Sequence, residues 1–173
     1  MLKNNFTRVC DSRHCARGRS GYSGACLSSF AMVITRATDY AVRILAVLSN
    51  ANGKRLTLAD LAAATSVPRD YVPKVLSPLV RRSWVQSYRG AGGGYSLAGA
   101  VQNITLLDVV ELYEGPLHLQ TCTGPRGCEF APACPAHGVW LEAEKELCGV
   151  LAKYKIAELA ARSRRQGLFV AAT

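Results

Sequence analysis

Two helix signals separated by a two-residue break, with a glycine-rich hairpin signal directly after them, make residues 57–97 the part of the chain that most constrains its fold. Thr57 precedes the Ala-rich segment LADLAAA, and Asp60 follows three residues later, which is the spacing of a weak capping box. A short helix is therefore predicted over residues 58–64. The break after it leaves room only for a tight turn, so the next helix must pack close to the first.

The second helix signal covers RDYVPKVLSPLVRRS, residues 69–83. Its apolar residues recur at steps of three and four, the period of a helix with one buried face; they are Val72, Val75, Leu76, Leu79 and Val80. Pro73 is the misfit, because a proline inside a helix removes a backbone hydrogen bond and costs on the order of 3 kcal/mol. We expect the helix to begin near Pro68 and to bend at Pro73, in its second turn.

The segment after this helix has the pattern of a β-hairpin. Residues 84–88 alternate apolar and polar side chains, and the glycine-rich RGAGGG separates them from the short strand signal at residues 95–97. A helix-turn-helix followed by such a wing is the winged-helix arrangement, in which one helix fits a major groove and the wing approaches the DNA backbone or minor groove. A nucleotide-binding loop is the rival interpretation, but the Lys-Ser/Thr of a P-loop is missing and no helix follows the glycines.

Three further helices are indicated on either side of this unit. Residues 38–49 place apolar side chains on one face, with Thr38 as the expected N-cap and Asn50 and Gly53 ending the run. A second helix begins after Thr105, which has Asp108 three residues on, and stops at Gly115. The third runs from about Gly138 to Tyr154.

This last helix carries a narrow apolar seam, formed by Trp140, Ala143, Leu147, Val150, Leu151 and Tyr154. A narrow seam suits a partner helix, so we favour a homodimer over packing on the same chain. The sequence thus predicts a mainly α-helical protein with a small β-hairpin wing, in which a winged helix-turn-helix is followed by a long dimerisation helix. No run of about 18 apolar residues is present, and no membrane partner is expected.

Between the last two helices lies the loop CTGPRGCEFAPACPAH, in which Cys122, Cys128 and Cys134 are evenly spaced and His137 follows. A Gly- and Pro-rich loop has little core of its own, so a metal centre is a more economical reason for three thiols than packing. An iron-sulfur cluster suits wide thiolate spacing. Zinc remains open because three Cys and one His complete a tetrahedral set, although Cys-x2-Cys knuckles are absent. Ordinary or disulfide-bonded cysteines are the third interpretation. Cys148 is expected to be a buried small residue.

The net charge of +9 is uneven along the chain. Residues 1–31 contain five Lys/Arg and one Asp, residues 32–100 nine and three acidic residues, and residues 101–173 seven and eight. We predict four parts: a disordered extension (1–31), the winged helix-turn-helix (32–100), the cysteine loop with the dimerisation helix (101–160) and a flexible basic tail (161–173). An upstream start assignment and a genuine extension are both open for the first part, whose Cys10, His14, Cys15 and Cys26 match no common zinc pattern.

Four motifs together resemble the Rrf2-type regulators: ITRATDYAVRIL, VPRDYVPKVL, YRGAGGGYSL and C-x5-C-x5-C-x2-H followed by a tryptophan. The resemblance covers residues 34–159. It implies a cytoplasmic winged-helix homodimer with crossing long helices, an iron-sulfur cluster near the dimer interface, and a double-stranded DNA operator as partner. It also implies operator affinity that changes when the cluster is oxidised, nitrosylated or lost. A thiol enzyme with a small-molecule substrate is not expected, because no Cys-x2-Cys or Cys-His-Asp arrangement is present.

By this resemblance, Cys122, Cys128 and Cys134 match the three thiolate ligands. The fourth ligand stays open between two residues. His137 matches the iron-sulfur-assembly branch and a 2Fe-2S cluster, and it is preferred because it shares the loop. Asp39 of the partner subunit resembles the nitric-oxide-sensing branch and a 4Fe-4S cluster; its alternative role is a favourable charge near a helix N-terminus.

The resemblance and the charge pattern also give a set of expected DNA contacts. Arg89 is expected to enter the minor groove, while Pro73 departs from the polar residue often found in the family and leaves the base readout open. The full set comprises Thr57, Arg69, Asp70, Tyr71, Lys74, Tyr88, Arg89, Gly92, Gly93 and Gly94.

Overall fold

A computed structural model of the chain describes residues 34–99 and 103–169. The predictions made for residues 1–31, including the four Cys and His residues there, lie outside the described residues. The described part is mostly helical, with one two-stranded antiparallel sheet, which confirms the predicted fold class. Its elements are α1 (Arg36–Asn50), α2 (Leu58–Thr65), α3 (Val72–Arg81), β1 (Val85–Tyr88), β2 (Gly94–Leu97), α4 (Leu106–Glu114), α5 (His137–Lys153) and α6 (Ile156–Arg165).

Helix α1 lies at the centre of the core and packs against α2, α3, α4 and α6. The apolar face predicted for it is fully buried: Ala41, Ile44, Leu45 and Leu48 have no more than 1% of their surface exposed. The same cluster includes Val109 from α4 and Ile156 from α6. One hydrophobic core therefore includes residues of the helix-turn-helix and residues of α4 and α6, which follow residue 100 in the sequence.

The N-terminus of α1 differs from the prediction that Thr38 is its N-cap. The helix begins at Arg36, with Thr35 in the N-cap position, and Thr38 is buried inside the first turn. The Thr38 hydroxyl donates a hydrogen bond to Glu114, the last residue of α4. The prediction was wrong because the acceptor for these threonines lies 76 or more residues away, where a local pattern cannot show it.

The turn between α2 and α3 combines a confirmed and a wrong prediction. The capping box of Thr57 and Asp60 is present, and α2 ends at the left-handed Ser66. Helix α3, however, begins at Val72, four residues after Pro68. Pro73 therefore lies in the first turn, where its missing N–H has no intrahelical acceptor, and the bend expected there is not needed. The proline inside α3 is Pro78.

The predicted wing is confirmed. Strands β1 and β2 pair in a register that places Val85 opposite Leu97 and Tyr88 opposite Gly94. Leu56, just before α2, adds a third short segment to this sheet: its N–H donates to the Tyr95 carbonyl at 2.9 Å, and the Tyr95 N–H donates back at 2.8 Å. The wing is therefore tied to the start of the helix-turn-helix.

The C-terminal helices close the fold. The capping box of Thr105 and Asp108 on α4 is present as predicted, and α5 lies within one residue of its predicted bounds. Val110 on α4 and Leu151 on α5 form a second, smaller cluster. Residues 161–165, which the sequence assigned to a flexible tail, continue α6, the helix that packs on α1. None of the described helices is both long and apolar enough to span a membrane.

Candidate nucleic-acid interface and cysteine loop

The start of α3 carries the first group of predicted DNA contacts. Arg69 and Asp70 are exposed, but they lie in the turn before the helix rather than in the helix as predicted. Tyr71 packs edge to face against the Tyr40 ring, with ring centroids 5.7 Å apart. The exposed Lys74 places its Nζ 5.7 Å from the Tyr71 ring. An aromatic pair thus supports a small polar surface at the helix start.

The wing loop carries the second group. Arg89 is exposed where the loop leaves β1. A side chain at Gly93 would place its Cβ 2.6 Å from the Tyr88 carbonyl, and one at Gly94 would lie 2.8 Å from the Leu56 carbonyl. These two glycines are therefore required by the close approach of the backbone. Gly92 has open space around it, so it is the predicted glycine that a DNA backbone could approach freely.

Thr57 is the N-cap of α2, and its hydroxyl is both a hydrogen-bond acceptor and a hydrogen-bond donor to Asp60. That hydroxyl accepts the Asp60 N–H at 3.2 Å and donates to the Asp60 carboxylate at 2.8 Å. Hydrogen bonds from the Thr57 backbone and hydroxyl hold the pKa of Asp60 below its ordinary value. The exposed end of α2 is therefore built by a local cap.

Sequence analysis missed Arg55 as part of this surface. The carbon of its guanidinium group lies 3.9 Å from the centroid of the Tyr88 ring. Only the charged pair at residues 54–55, ahead of the short strand segment at Leu56, could have pointed to it.

The cysteine loop is a succession of tight turns between α4 and α5. Cys122 lies in a one-turn 3-10 helix, Thr121–Thr123, and Cys134 directly follows another, Ala131–Ala133. The backbone N–H of Ala131 donates to the Cys128 carbonyl at 3.0 Å. Cys128 is exposed, whereas Cys122 and Cys134 are half-buried, and all three are free thiols.

Glu144 anchors the start of this loop to α5, a role that sequence analysis did not anticipate. Its Oε2 accepts the Leu119 N–H at 2.9 Å, and its Oε1 lies 3.3 Å from Nδ1 of His118. Burial raises the pKa of this carboxyl group, but hydrogen bonds from Thr123, Leu119 and His118 outweigh that effect, and the net pKa is lowered. The loop is therefore held by a charged acceptor on the long helix.

His137 is the residue whose environment points most directly to a missing partner. Its Nδ1 is buried and lacks a hydrogen-bond partner, which holds for no other buried side-chain nitrogen or oxygen in the described ranges. A buried polar atom without a partner costs free energy, and a bound metal is one way to satisfy it. The residue opens α5, and its backbone N–H donates to the Cys134 carbonyl at 3.2 Å.

The donor chemistry of the loop suits a metal centre, but its side chains are not gathered into one. Within residues 34–99 and 103–169, no three His, Cys, Asp or Glu side chains lie together as a group that could hold a metal ion. The alternative ligand Asp39 forms an ion pair at 2.5 Å with Arg43, one turn further along α1. A ligand role for Asp39 would require it to leave that partner.

Cys148 differs from the loop cysteines. It lies on α5 next to the cluster of Val110 and Leu151, and it is half-buried where the sequence predicted a buried residue. Burial raises the pKa of its thiol, and the negative charges of Glu144 and Glu111 raise it further. The thiolate, which is the ligand form of cysteine, is therefore disfavoured at this position.

The apolar seam predicted on α5 is divided between two environments. Leu147 and Leu151 pack against α4. Trp140 and Val150 are exposed, at 39% and 46%, and their neighbour Val139 is 61% exposed. Part of the helix thus serves the chain's own core, and part remains an apolar surface.

The part of the chain that contains the helix-turn-helix, the wing and the cysteine loop matches a known protein family. The profile of the Rrf2 family, described as an iron-dependent transcriptional regulator, matches residues 34–162. The chain belongs to the Rrf2 family. The resemblance found in the sequence motifs is confirmed, and with it the expectation that the protein is a DNA-binding transcriptional regulator and not an enzyme.

Several known proteins are similar to this chain over most of its length. The HTH-type transcriptional regulator ORF2 of Azotobacter vinelandii is 30% identical over 138 residues, which are 79% of this chain and 84% of that protein. IscR of Escherichia coli is 29% identical over 129 residues, covering 74% and 80%. The structure of CymR, the global cysteine regulator of B. subtilis, superposes with a TM-score of 0.63 at 25% identity and covers 76% of this chain and 98% of CymR. T. potens IscR, at 22% identity and a TM-score of 0.59 over 76% of this chain and 88% of its own, supports the fold alone.

Proposed function

We propose that this Rrf2-family regulator is controlled by an iron-sulfur cluster bound to its cysteine loop. The observation that carries the proposal is the buried, unpartnered Nδ1 of His137 at the end of a loop with three free thiols. Thiolates and an imidazole nitrogen are the donor types of a 2Fe-2S site with mixed ligation. Cys122, Cys128, Cys134 and His137 would hold the cluster, with Asp39 of the partner subunit as the alternative fourth ligand in a 4Fe-4S site.

When bound, the cluster would supply a redox-active group that oxidants or nitric oxide can alter. The protein's own residues provide the connection to the DNA-binding unit. Glu144 fixes the loop to α5, and Leu151 on α5 packs against Val110 on α4. Glu114 at the end of α4 accepts hydrogen bonds from the first turn of α1. A change in the loop would therefore act on packed helices that lead to the core of the helix-turn-helix.

The DNA operator would be bound by the exposed start of α3 and by the wing. The proposed contacts are those predicted from the sequence: Thr57, Arg69, Asp70, Tyr71, Lys74, Tyr88, Arg89, Gly92, Gly93 and Gly94. Basic side chains that neutralise phosphates provide affinity, so binding should weaken steeply with salt. We place the protein in the cytoplasm, where such thiols stay reduced.

A homodimer is part of the same proposal. The exposed apolar side chains of α5, including Trp140 and Val150, form a surface that a second copy can cover. Two copies related by a twofold axis would present two wings and two α3 helices to a palindromic operator. No small-molecule substrate is required.

Anaerobic purification followed by visible absorption and by iron and sulfide assays tests the cluster. The wild-type protein is expected to be coloured and to contain both elements, while Cys128→Ala should be colourless but folded by circular dichroism. Cys148→Ala is the matched control, because it removes a thiol outside the loop, and it should keep the colour. A wild-type protein that contains neither iron nor sulfide would overturn the proposal.

A second candidate is a DNA-binding regulator of the same family with structural zinc or no metal. The observation that favours it is the absence of a gathered donor group in the described residues, together with the exposure of Cys128. CymR is named as a cysteine regulator, and S. aureus CymR has an oxidised form of known structure. One zinc per chain in the assay above, or a metal-free protein whose DNA affinity responds to thiol oxidation, would favour this candidate.

A further inference from the structure

The contact between Arg55 and Tyr88 joins the segment before α2 to the wing, which lies much further along the sequence. Arg55 belongs to the segment before α2, whose neighbour Leu56 pairs with Tyr95 on β2, and Tyr88 ends β1. Backbone pairing on one side and ring stacking at 3.9 Å on the other thus hold the arginine beside the sheet. The Tyr88 ring is itself oriented, because its hydroxyl donates to Gln86 at 2.6 Å.

Among the described residues, Tyr88 is the one aromatic ring that contacts the Arg55 guanidinium group. A cation over an aromatic ring is attracted through the π face, which leaves the N–H groups at the edge of the guanidinium plane free to donate. Arg55 is exposed, and among the described residues no carboxylate lies within ion-pair distance of it. Its charge is therefore oriented but not neutralised.

The position of Arg55 beside the wing indicates which chemical group it can bind. Arg89, a second exposed arginine, follows Tyr88 directly in the chain. A planar fork of N–H donors matches the oxygens of a phosphate group in a bidentate manner. A held fork also loses less conformational entropy on binding than a free side chain.

We propose that Arg55 is a phosphate-contacting residue of the DNA interface and that Tyr88 acts as the positioning residue that holds it. This inference rests on the proposed DNA-binding role of the wing. It assigns the Tyr88 ring to the orientation of Arg55, in addition to any contact of its own. Because phosphate contacts carry no sequence information, the inference applies to any duplex.

Fluorescence anisotropy with a labelled mixed-sequence DNA duplex, at several KCl concentrations, tests the assignment. Arg55→Ala is expected to weaken binding about fivefold at physiological salt and to reduce the log-log salt slope by about 0.9, the effect of one phosphate contact. Lys54→Ala is the matched control, because Lys54 carries the same charge at the adjacent exposed position and contacts no aromatic ring among the described residues. Its effect should be much smaller. Equal losses for the two variants would overturn the assignment, since general attraction would then explain both.

A double-mutant comparison tests the role of the stack. In the Tyr88→Phe background, Arg55→Ala should weaken DNA binding by the same factor as in the wild type, because the ring remains. In the Tyr88→Leu background, which lacks the ring, Arg55→Ala should leave the DNA affinity nearly unchanged. Full additivity in Tyr88→Leu would show that the ring does not position Arg55. Should Tyr88→Leu fail to fold, Arg55→Lys provides the test: it keeps the charge without the fork, and wild-type affinity for it would overturn the proposal. Wild-type protein that does not bind the duplex at low salt would instead overturn the proposed DNA-binding role of the wing.

Discussion

The hydroxyl of Thr35, at the N-cap position of α1, donates a 2.7 Å hydrogen bond to Oε1 of Glu114, the last residue of α4. The Thr35 backbone N–H donates to the same oxygen at 3.0 Å, and the Thr38 hydroxyl also donates to it. Thr35 makes no capping hydrogen bond with its own side chain. A carboxylate from another helix thus accepts the hydrogen bonds of donor groups at the start of α1. Its negative charge also complements the positive end of the helix dipole.

Replacement of Glu114 by alanine is expected to lower the free energy of unfolding by about 1–2 kcal/mol, the usual cost of a lost helix cap. Denaturant unfolding at neutral pH measures the change. Glu111→Ala is the control, because Glu111 is exposed on the same helix. A loss no larger than that of the control would contradict the capping role.

The same carboxylate gives stability a defined pH dependence. Burial raises the pKa of Glu114, but hydrogen bonds from Thr38 and Thr35 outweigh that effect and lower it below the ordinary value of 4.5. A lowered pKa in the folded state means that the stabilisation is complete above 4.5 and is lost as the pH falls through the folded value. The stability difference between wild type and Glu114→Ala should therefore narrow in acid; a constant difference would count against this account.

The two capping boxes provide a matched pair of variants. Thr57→Ala on α2 and Thr105→Ala on α4 remove the same hydrogen bonds, and each should cost about 1 kcal/mol of stability. Only Thr57 belongs to the proposed DNA surface, so only its variant should weaken operator binding, on the order of fivefold, because the cap that orders this end of α2 is lost. Thermal melts and anisotropy separate the two effects. Equal affinities for both variants would remove Thr57 from the interface.

The fourth ligand can be assigned by two single variants purified without air. His137→Ala should lose or shift the visible absorption, because its buried Nδ1 is the donor that lacks a partner. Asp39→Ala should retain the wild-type spectrum, since Asp39 already has Arg43 as its partner. The reverse result would assign the ligand to Asp39 of the partner subunit. Unchanged spectra for both would contradict either assignment.

In the metal-free protein, exposed cysteines should react faster with an alkylating reagent than buried ones. Cys128 is exposed, whereas burial and two nearby glutamates raise the pKa of Cys148. Because the thiolate is the reactive form, iodoacetamide at neutral pH should modify Cys128 at least about tenfold faster than Cys148. Mass spectrometry of the labelled peptides over time gives both rates. Similar rates would show that α5 does not protect Cys148.

Local chemistry explains which elements could be predicted. The capping boxes at Thr57 and Thr105 depend on residues three apart, and the wing depends on consecutive residues. The start of α3 could not be fixed in this way, because Pro68 and Pro73 are both acceptable in a first helical turn. Helix α6 was missed because its arginines suggested a solvated tail, although Ile156, Ala160 and Ser163 recur at helical spacing and are buried.

Long-range relationships could not be predicted from the sequence. The bond between Thr35 and Glu114 spans 79 residues, and the contact between Arg55 and Tyr88 depends on how the wing pairs with the segment before α2. The cysteine spacing identifies donor residues but not their arrangement, because the loop path follows from a series of turns and from its anchor at Glu144.

We propose that the state of the cysteine loop sets the affinity of the protein for DNA. A duplex selected from a random pool with anaerobic protein, and titrated by anisotropy before and after the protein is exposed to air, tests it most directly. We expect the two dissociation constants to differ by at least about tenfold, within the usual range of coupling between two sites. Equal dissociation constants, measured with protein that binds the duplex and whose cysteine loop has demonstrably changed state, would contradict the claim.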